Sequence, residues 1–161
     1  MEDPRAIANF VLDVAEAGGA SVTNLALNKI VYFLHGVFLA KNGKPLVSAK
    51  IEAWEFGPVF REIYHEFKCF KASGITSRAS KKNYSTGEMT PFVSALSNME
   101  RDFVCHYATL YLKIEPGKLV DMSHVEDGPW YEAWYHDGTV NPGMQITDEA
   151  ILKHFSKSVR H

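Results

Sequence analysis

Seven histidines and two cysteines are the side chains best suited to hold a metal or attack a substrate, and they are scattered singly along the 161 residues. No Cys-x-x-Cys pair and no His-Glu-x-x-His run sets two ligands one helical turn apart. Glu62 and His65 have the i, i+3 spacing of half a carboxylate-bridged two-metal site, but that site needs a second Glu-x-x-His, which the sequence lacks. Cys105 and His106 are helix neighbours pointing about 100° apart, so they cannot serve as nucleophile and base. Cys105 reads instead as a small buried hydrophobe. There is no Gly-x-Ser-x-Gly, phosphate loop or dinucleotide fingerprint. Glu52 and Glu55 flank Trp54, and an ion pair with a Lys or Arg is the expected state of such a carboxylate. The sequence therefore predicts no metal, no cofactor and no enzyme. The rival is a small enzyme with a carboxylate site near Glu52.

Binding chemistry is better represented. Trp54, Phe56, Tyr64, Trp130, Trp134 and Tyr135 are many large rings for this length. Trp and Tyr bury much area at little entropic cost, which suits protein interfaces. Most must be core, leaving a minority at the surface. Arg78, Lys81 and Lys82 with nearby Tyr84 hold the ingredients of a weak phosphate-and-stacking patch. So few cations supply only a modest electrostatic term, and no helix has a basic recognition face.

The elements that must position these residues are mostly helical. Asp3-Pro4 is a cap followed by an N1 proline, and Ile7, Phe10, Val11 and Val14 recur at helical spacing until Gly18-Gly19. A second helix starts at Thr23 and stops at Asn42-Gly43. Leu27, Ile30, Val31, Leu34, Val37 and Phe38 form its core stripe. Asn28, Tyr32, His35 and Leu39 lie on another face, expected to be free for a partner. Residues 51–56 read as a short strand broken by Gly57-Pro58. Pro58 is expected to open a third helix carrying Val59, Ile63, Phe67 and Phe70. Residues 71–88 read as a long loop, with room for a short strand that pairs with residues 51–56. Thr90-Pro91 is expected to start the longest helix, with Phe92, Leu96, Met99, Phe103, Tyr107 and Leu110 on its face, ending before Pro116-Gly117. A short helix with Leu119 and Met122 buried follows, then one carrying Trp130, Ala133 and Trp134. Thr147 caps a last helix. Its buried face is Ile151, Leu152, Phe155 and Val159; Lys153, His154, Lys157 and Arg160 sit toward its C-terminal end. The fold class is mainly α: a single domain over residues 1–161, about six helices and at most a short two-stranded β element.

Bulk properties fit a packed domain of this size. The net charge of −2 argues against a dedicated nucleic-acid or membrane-surface binder. Two distant cysteines, Cys69 and Cys105, fit a reducing compartment. The N-terminus lacks the basic start of a signal peptide, and no apolar run spans a bilayer. A cytoplasmic protein with no membrane contact is expected.

The motif residues resemble the Panacea domain, an antitoxin-associated family with SocA-like members, also met as phage-associated proteins. The resemblance rests on Leu25, Leu27, Lys29, Tyr32 and Phe33; on Pro45-Leu46; and on Glu52, Ala53, Trp54, Gly57, Pro58 and Val59 as an E-A-W-x-x-G-P-V segment. Tyr64, His65 and Phe67, Ser123-His124, Pro129-Trp130 and Phe155 complete it. Asn28 stands where the family often has Gln, and His154 where Tyr is common. The resemblance implies a bacterial or prophage antitoxin that neutralises a cognate toxin protein by binding it, or that presents it to a protease. On this reading Trp54, Phe56 and Tyr64 anchor the interface, Lys29, Tyr32 and His35 are its polar neighbours, and Glu52 orients the segment. Alternatively, Trp54, Gly57 and Pro58 only brace the fold. A nucleic-acid-binding regulator of a prophage or mobile element using Arg78, Lys81, Lys82 and Tyr84 is the other reading, and the aromatic patch would equally suit a homo-oligomer seam.

Overall fold

The computed structural model describes residues 1–159. Seven α-helices among them carry most of the fold, arranged around one helix that is covered on every side. The first, α1 (Pro4–Ala17), starts where its cap predicts: an Asp3 side-chain oxygen accepts from the Arg5 N–H, and Pro4 occupies the first turn. Thr23 caps α2 (Asn24–Asn42), and Gly43 ends it in the left-handed conformation at φ +68°. Every residue of α2 from Ala26 to Leu39 is buried. A helix enclosed all round is a core helix, not an amphipathic surface helix.

The chain then makes a tight antiparallel hairpin from β1 (Ile51–Trp54) and β2 (Gly57–Phe60), with Trp54 opposite Gly57. Pro58 therefore lies in a strand and does not open a helix. It is tolerated because β2 is the edge of its sheet, where a missing N–H breaks no ladder. The third helix, α3, begins later, at Arg61, and ends at Phe67. Residues 71–88 supply no partner for β1. Their strand β3 (Ser80–Lys82) pairs with β4 (Met89–Pro91). The second partner of β1 is β5 (Met144–Ile146), with Ile51 opposite Ile146. The β content is thus a three-stranded sheet in the order β2-β1-β5 plus a separate hairpin, more than the two strands expected.

The long helix expected from Thr90 is also shorter. Pro91 closes β4, and α4 (Asn98–Tyr111) starts only at a reciprocal capping box between Ser97 and Glu100. Asn9 explains the extended stretch before it. Its side chain donates to the Ala79 and Phe92 carbonyls, both at 2.9 Å, and accepts from the Ala79 N–H at 2.8 Å. The Phe92 carbonyl thus finds its partner outside a helix, as does the Ala95 N–H, which donates to Glu2 at 2.8 Å. Met99 and Leu110, expected on the buried face, are exposed, and so is Cys105. Two short helices follow, α5 (Pro116–Ser123) and α6 (Pro129–Trp134). The last, α7 (Asp148–Val159), packs along α2. Ile151 and Phe155 are buried there while Leu152 is exposed; the Val159 side chain and Arg160 lie outside the described residues.

Close approach of α2 and α7 depends on Gly36. A Cβ at that position would lie 2.5 Å from the Phe155 ring, well inside contact distance. Alanine improves intrinsic helix propensity by about 1 kcal/mol over glycine, but here it overpacks the core, at a typical cost of about 1–3 kcal/mol. Gly36→Ala is therefore expected to lower the urea midpoint of unfolding. An unchanged or raised midpoint would show that α7 yields without cost.

Candidate functional site

The hairpin tip is the most exposed aromatic feature that the fold holds rigidly. Glu55 and Phe56 form its two-residue turn, and Phe56 is 61% exposed. Trp54 is half-buried, with its ring edge-on to Tyr64 of α3 at 4.9 Å between centroids. Strand alternation puts Glu52 and Trp54 on one face of β1. There the Trp54 indole N–H donates to Glu52 Oε2 at 2.9 Å. Glu52 itself is only 6% exposed, and Lys50 and Arg61 approach its other oxygen at 3.6 and 3.8 Å. It is thus a paired structural carboxylate.

Three segments clasp the hairpin from beneath. From α6, the Trp130 indole donates to the Trp54 carbonyl at 2.8 Å. At the end of α5, His124 Nε2 lies 3.1 Å from the Glu55 carbonyl, and the His124 and Trp130 rings pack at 3.7 Å. From α2, Asn28 Oδ1 accepts from the Phe60 N–H at 2.9 Å, and Lys29 Nζ donates to the Pro58 carbonyl at 2.9 Å. Gly57 makes room for this arrangement. At φ +103° it holds a conformation that L side chains rarely adopt, and a Cβ there would meet Ser123 Oγ at 2.5 Å and Lys29 Cε at 2.6 Å.

This geometry divides the residues singled out from sequence. Trp54, Phe56 and Tyr64 come together at the surface with Glu52 behind them. Lys29, Tyr32 and His35 do not belong beside them as surface neighbours: they are 0%, 1% and 1% exposed. On that side of α2, Lys29 and His35 have hydrogen-bond partners within the protein and Tyr32 is covered by packing. The Val47 N–H donates to His35 Nδ1 at 3.3 Å, so Nε2 carries the proton and donates to Asp148 at 2.8 Å. Burial lowers the His35 pKa, and Asp148 offsets part of that shift. Tyr32 packs edge-on to Phe33 and Phe155. Burial raises its pKa.

The second candidate patch is depleted in the same way. Arg78 binds back onto α1, donating to Asp13 at 2.8 Å and to Glu16 at 2.7 Å. That leaves Lys81 and Lys82 on β3 with the fully exposed ring of Tyr84. Among the described residues no group of three or more His, Cys, Asp or Glu is placed to hold a metal ion, and no helix is long and apolar enough to cross a membrane.

The sequence profile of the family described as "Antitoxin SocA-like, Panacea domain" matches residues 27–131. The chain belongs to this family. The matched span runs from within α2 to within α6 and contains the hairpin and the residues that clasp it, Asn28, Lys29, His124 and Trp130. A curated relative, Antitoxin SocA of Caulobacter vibrioides (strain NA1000 / CB15N), is 37% identical over 162 residues, covering 95% of this chain and 82% of the relative. No solved structure matches. In this Panacea chain, Ser123, His124 and Trp130 were legible as family motif residues, but their work as a clasp was not. Lys68 and Lys71, which line the same surface, were missed. The one available signal was the i, i+4 spacing that sets Lys68 on the Tyr64 side of α3.

Lys29 gives the site a measurable pH signature. Burial lowers its pKa from the ordinary 10.5 to about 7, with no carboxylate paired to it among the described residues. Between pH 7 and 10 the unfolded chain holds the Lys29 proton and the folded chain does not. Stability therefore rises with pH across that window, by up to ~1.4 kcal/mol per unit, and falls as pH drops toward 7. Lys29→Met is expected to flatten this slope in urea titrations at pH 7, 8.5 and 10. An identical slope in the variant would mean that Lys29 titrates normally.

Proposed function

We propose that this protein is an antitoxin that neutralises a cognate toxin by direct, stoichiometric binding, and that it has no catalytic activity of its own. The observation that carries the reading is the Trp54, Phe56 and Tyr64 cluster: half-buried Trp54 and exposed Phe56 on a hairpin pinned from below by α2, α5 and α6, with exposed Tyr64 of α3 against Trp54. Rigid aromatic anchors lose little entropy on binding, which is what makes them interface hot spots. Family membership and the name of the Caulobacter relative support the same role. Presentation of the toxin to a protease is a variant of this reading that uses the same surface, in a cytoplasmic setting.

The other classes find less to stand on. The pocket beside Trp54 is lined by one carboxylate, Glu55, with Lys29, Lys68 and Lys71, and Glu52 is paired with Lys50 and Arg61, which is not the unpaired carboxylate set an enzyme would need. Lys81 and Lys82 alone would give nucleic-acid binding only a small electrostatic contribution.

The test is co-expression with the adjacent open reading frame in bacteria, reading growth and co-purification. Toxicity relieved with a stable complex is the expected outcome. Relief without a complex would favour delivery to a protease. A harmless neighbour that does not co-purify would remove the antitoxin reading. Phe56→Ala should weaken the complex by about 2 kcal/mol, roughly thirtyfold in Kd, while leaving thermal unfolding unchanged, since Phe56 supports nothing beneath it. Equal affinity in this variant would place the interface elsewhere.

A further inference from the structure

Beside the aromatic cluster the surface sinks into a pocket of about 520 Å³, between the start of α2, the hairpin tip and the end of α3. Its apolar walls are Leu25, Trp54, Phe56, Val59 and Tyr64. Its two amide side chains are already engaged: Asn24 donates to the Tyr64 carbonyl at 3.0 Å, and Asn28 donates to Asn24. What remains for a ligand is therefore apolar surface and charge.

That charge has one dominant sign. Lys68 and Lys71 are exposed at the rim. Glu55 is the single acidic residue of the lining. Lys71 is also held at φ +52°, in the left-handed region where a glycine would be cheaper. Strain of this kind persists only where surrounding structure enforces it, and it clusters at functional sites.

We infer that this pocket docks an acidic, aromatic-bearing peptide segment of the partner protein. A Phe, Trp or Leu of that segment enters between Trp54, Phe56 and Tyr64, and flanking Asp or Glu side chains meet Lys68 and Lys71. Complementary charge fixes the register of the segment and rejects basic ones, while the rings supply the affinity. The inference rests on the direct-binding reading and adds the chemistry of the partner to it.

The experiment pans a phage-displayed library of random peptides on the whole protein, then titrates the selected synthetic peptide against wild type, Phe56→Ala and a Lys68→Glu/Lys71→Glu double variant. Both lysines are exposed, so the double variant should keep the wild-type circular dichroism spectrum and melting temperature. The expected result is a consensus of an aromatic or leucine beside Asp or Glu. Its affinity should fall at least tenfold in each variant and weaken with added salt. Peptides without acidic residues, no enriched sequence at all, or a peptide that binds the double variant as tightly as wild type would each overturn the proposal. The same double variant in the growth assay separates the two readings. Toxicity relieved equally by wild type and variant sinks the pocket and leaves the antitoxin role standing. Acidic peptides captured by a protein that relieves no toxicity would remove the antitoxin role and leave the pocket's chemistry intact.

Discussion

Complete burial of α2 is the constraint on which the rest of the structure depends. Once Ala26 to Leu39 are all withdrawn from water, each polar group on that helix must find a partner inside the protein. There are few such groups, and their bonds hold the neighbouring segments in place. Asn28 and Lys29 bond to the backbone of β2 and so fix the height and tilt of the hairpin. His35 reaches two segments at once, the backbone at Val47 and the first turn of α7. Gly36 then lets the Phe155 ring rest directly on the helix backbone. Hydrophobic burial supplies the driving force, and these bonds select one arrangement of the surrounding elements from the many that would bury similar area.

The candidate interface is a consequence of that selection. Trp54, Phe56 and Tyr64 are on the surface because the hairpin that carries two of them is lifted on α2 and clasped by α5 and α6. The clasp is made largely to backbone carbonyls, those of Trp54, Glu55 and Pro58, which leaves the side chains of the tip free. Glu52 holds the Trp54 ring by its indole nitrogen and balances nearby positive charge. Rigid backbone beneath exposed rings is the arrangement that reduces the entropy lost on association. The same construction explains why Gly57 and Pro58 look structural and functional at once. Gly57 and Pro58 set where the rings stand.

Burial of Lys29 is the least expected feature. An ammonium group withdrawn from water with a single carbonyl acceptor is an unfavourable arrangement for the isolated fold, and its lowered pKa expresses that cost. Packing around Gly57 leaves it nowhere else to go, because Lys29 Cε fills the space that a side chain at 57 would have occupied.

Local sequence signals determined the helices whose ends are chemically marked. Asp3-Pro4, Thr23 and Asn42-Gly43 placed α1 and α2 nearly to the residue, because capping is a contact between neighbours in the chain. The aromatic trio and the family were likewise legible from residue types and from the segment around Trp54. Tertiary structure decided what neighbours cannot encode. Pro58 was pulled into an edge strand by its pairing with Ala53, and in residues 92–97 the Phe92 carbonyl and the Ala95 N–H are satisfied by Asn9 and Glu2, far back in the chain, and not by helix neighbours. Tyr32 and His35 look like an exposed face when α2 is considered alone, and they became core only when α7 closed over them. Periodicity reports which residues share a face of a helix. Whether water or protein covers that face depends on elements more than a hundred residues away, and only the assembled fold contains that information.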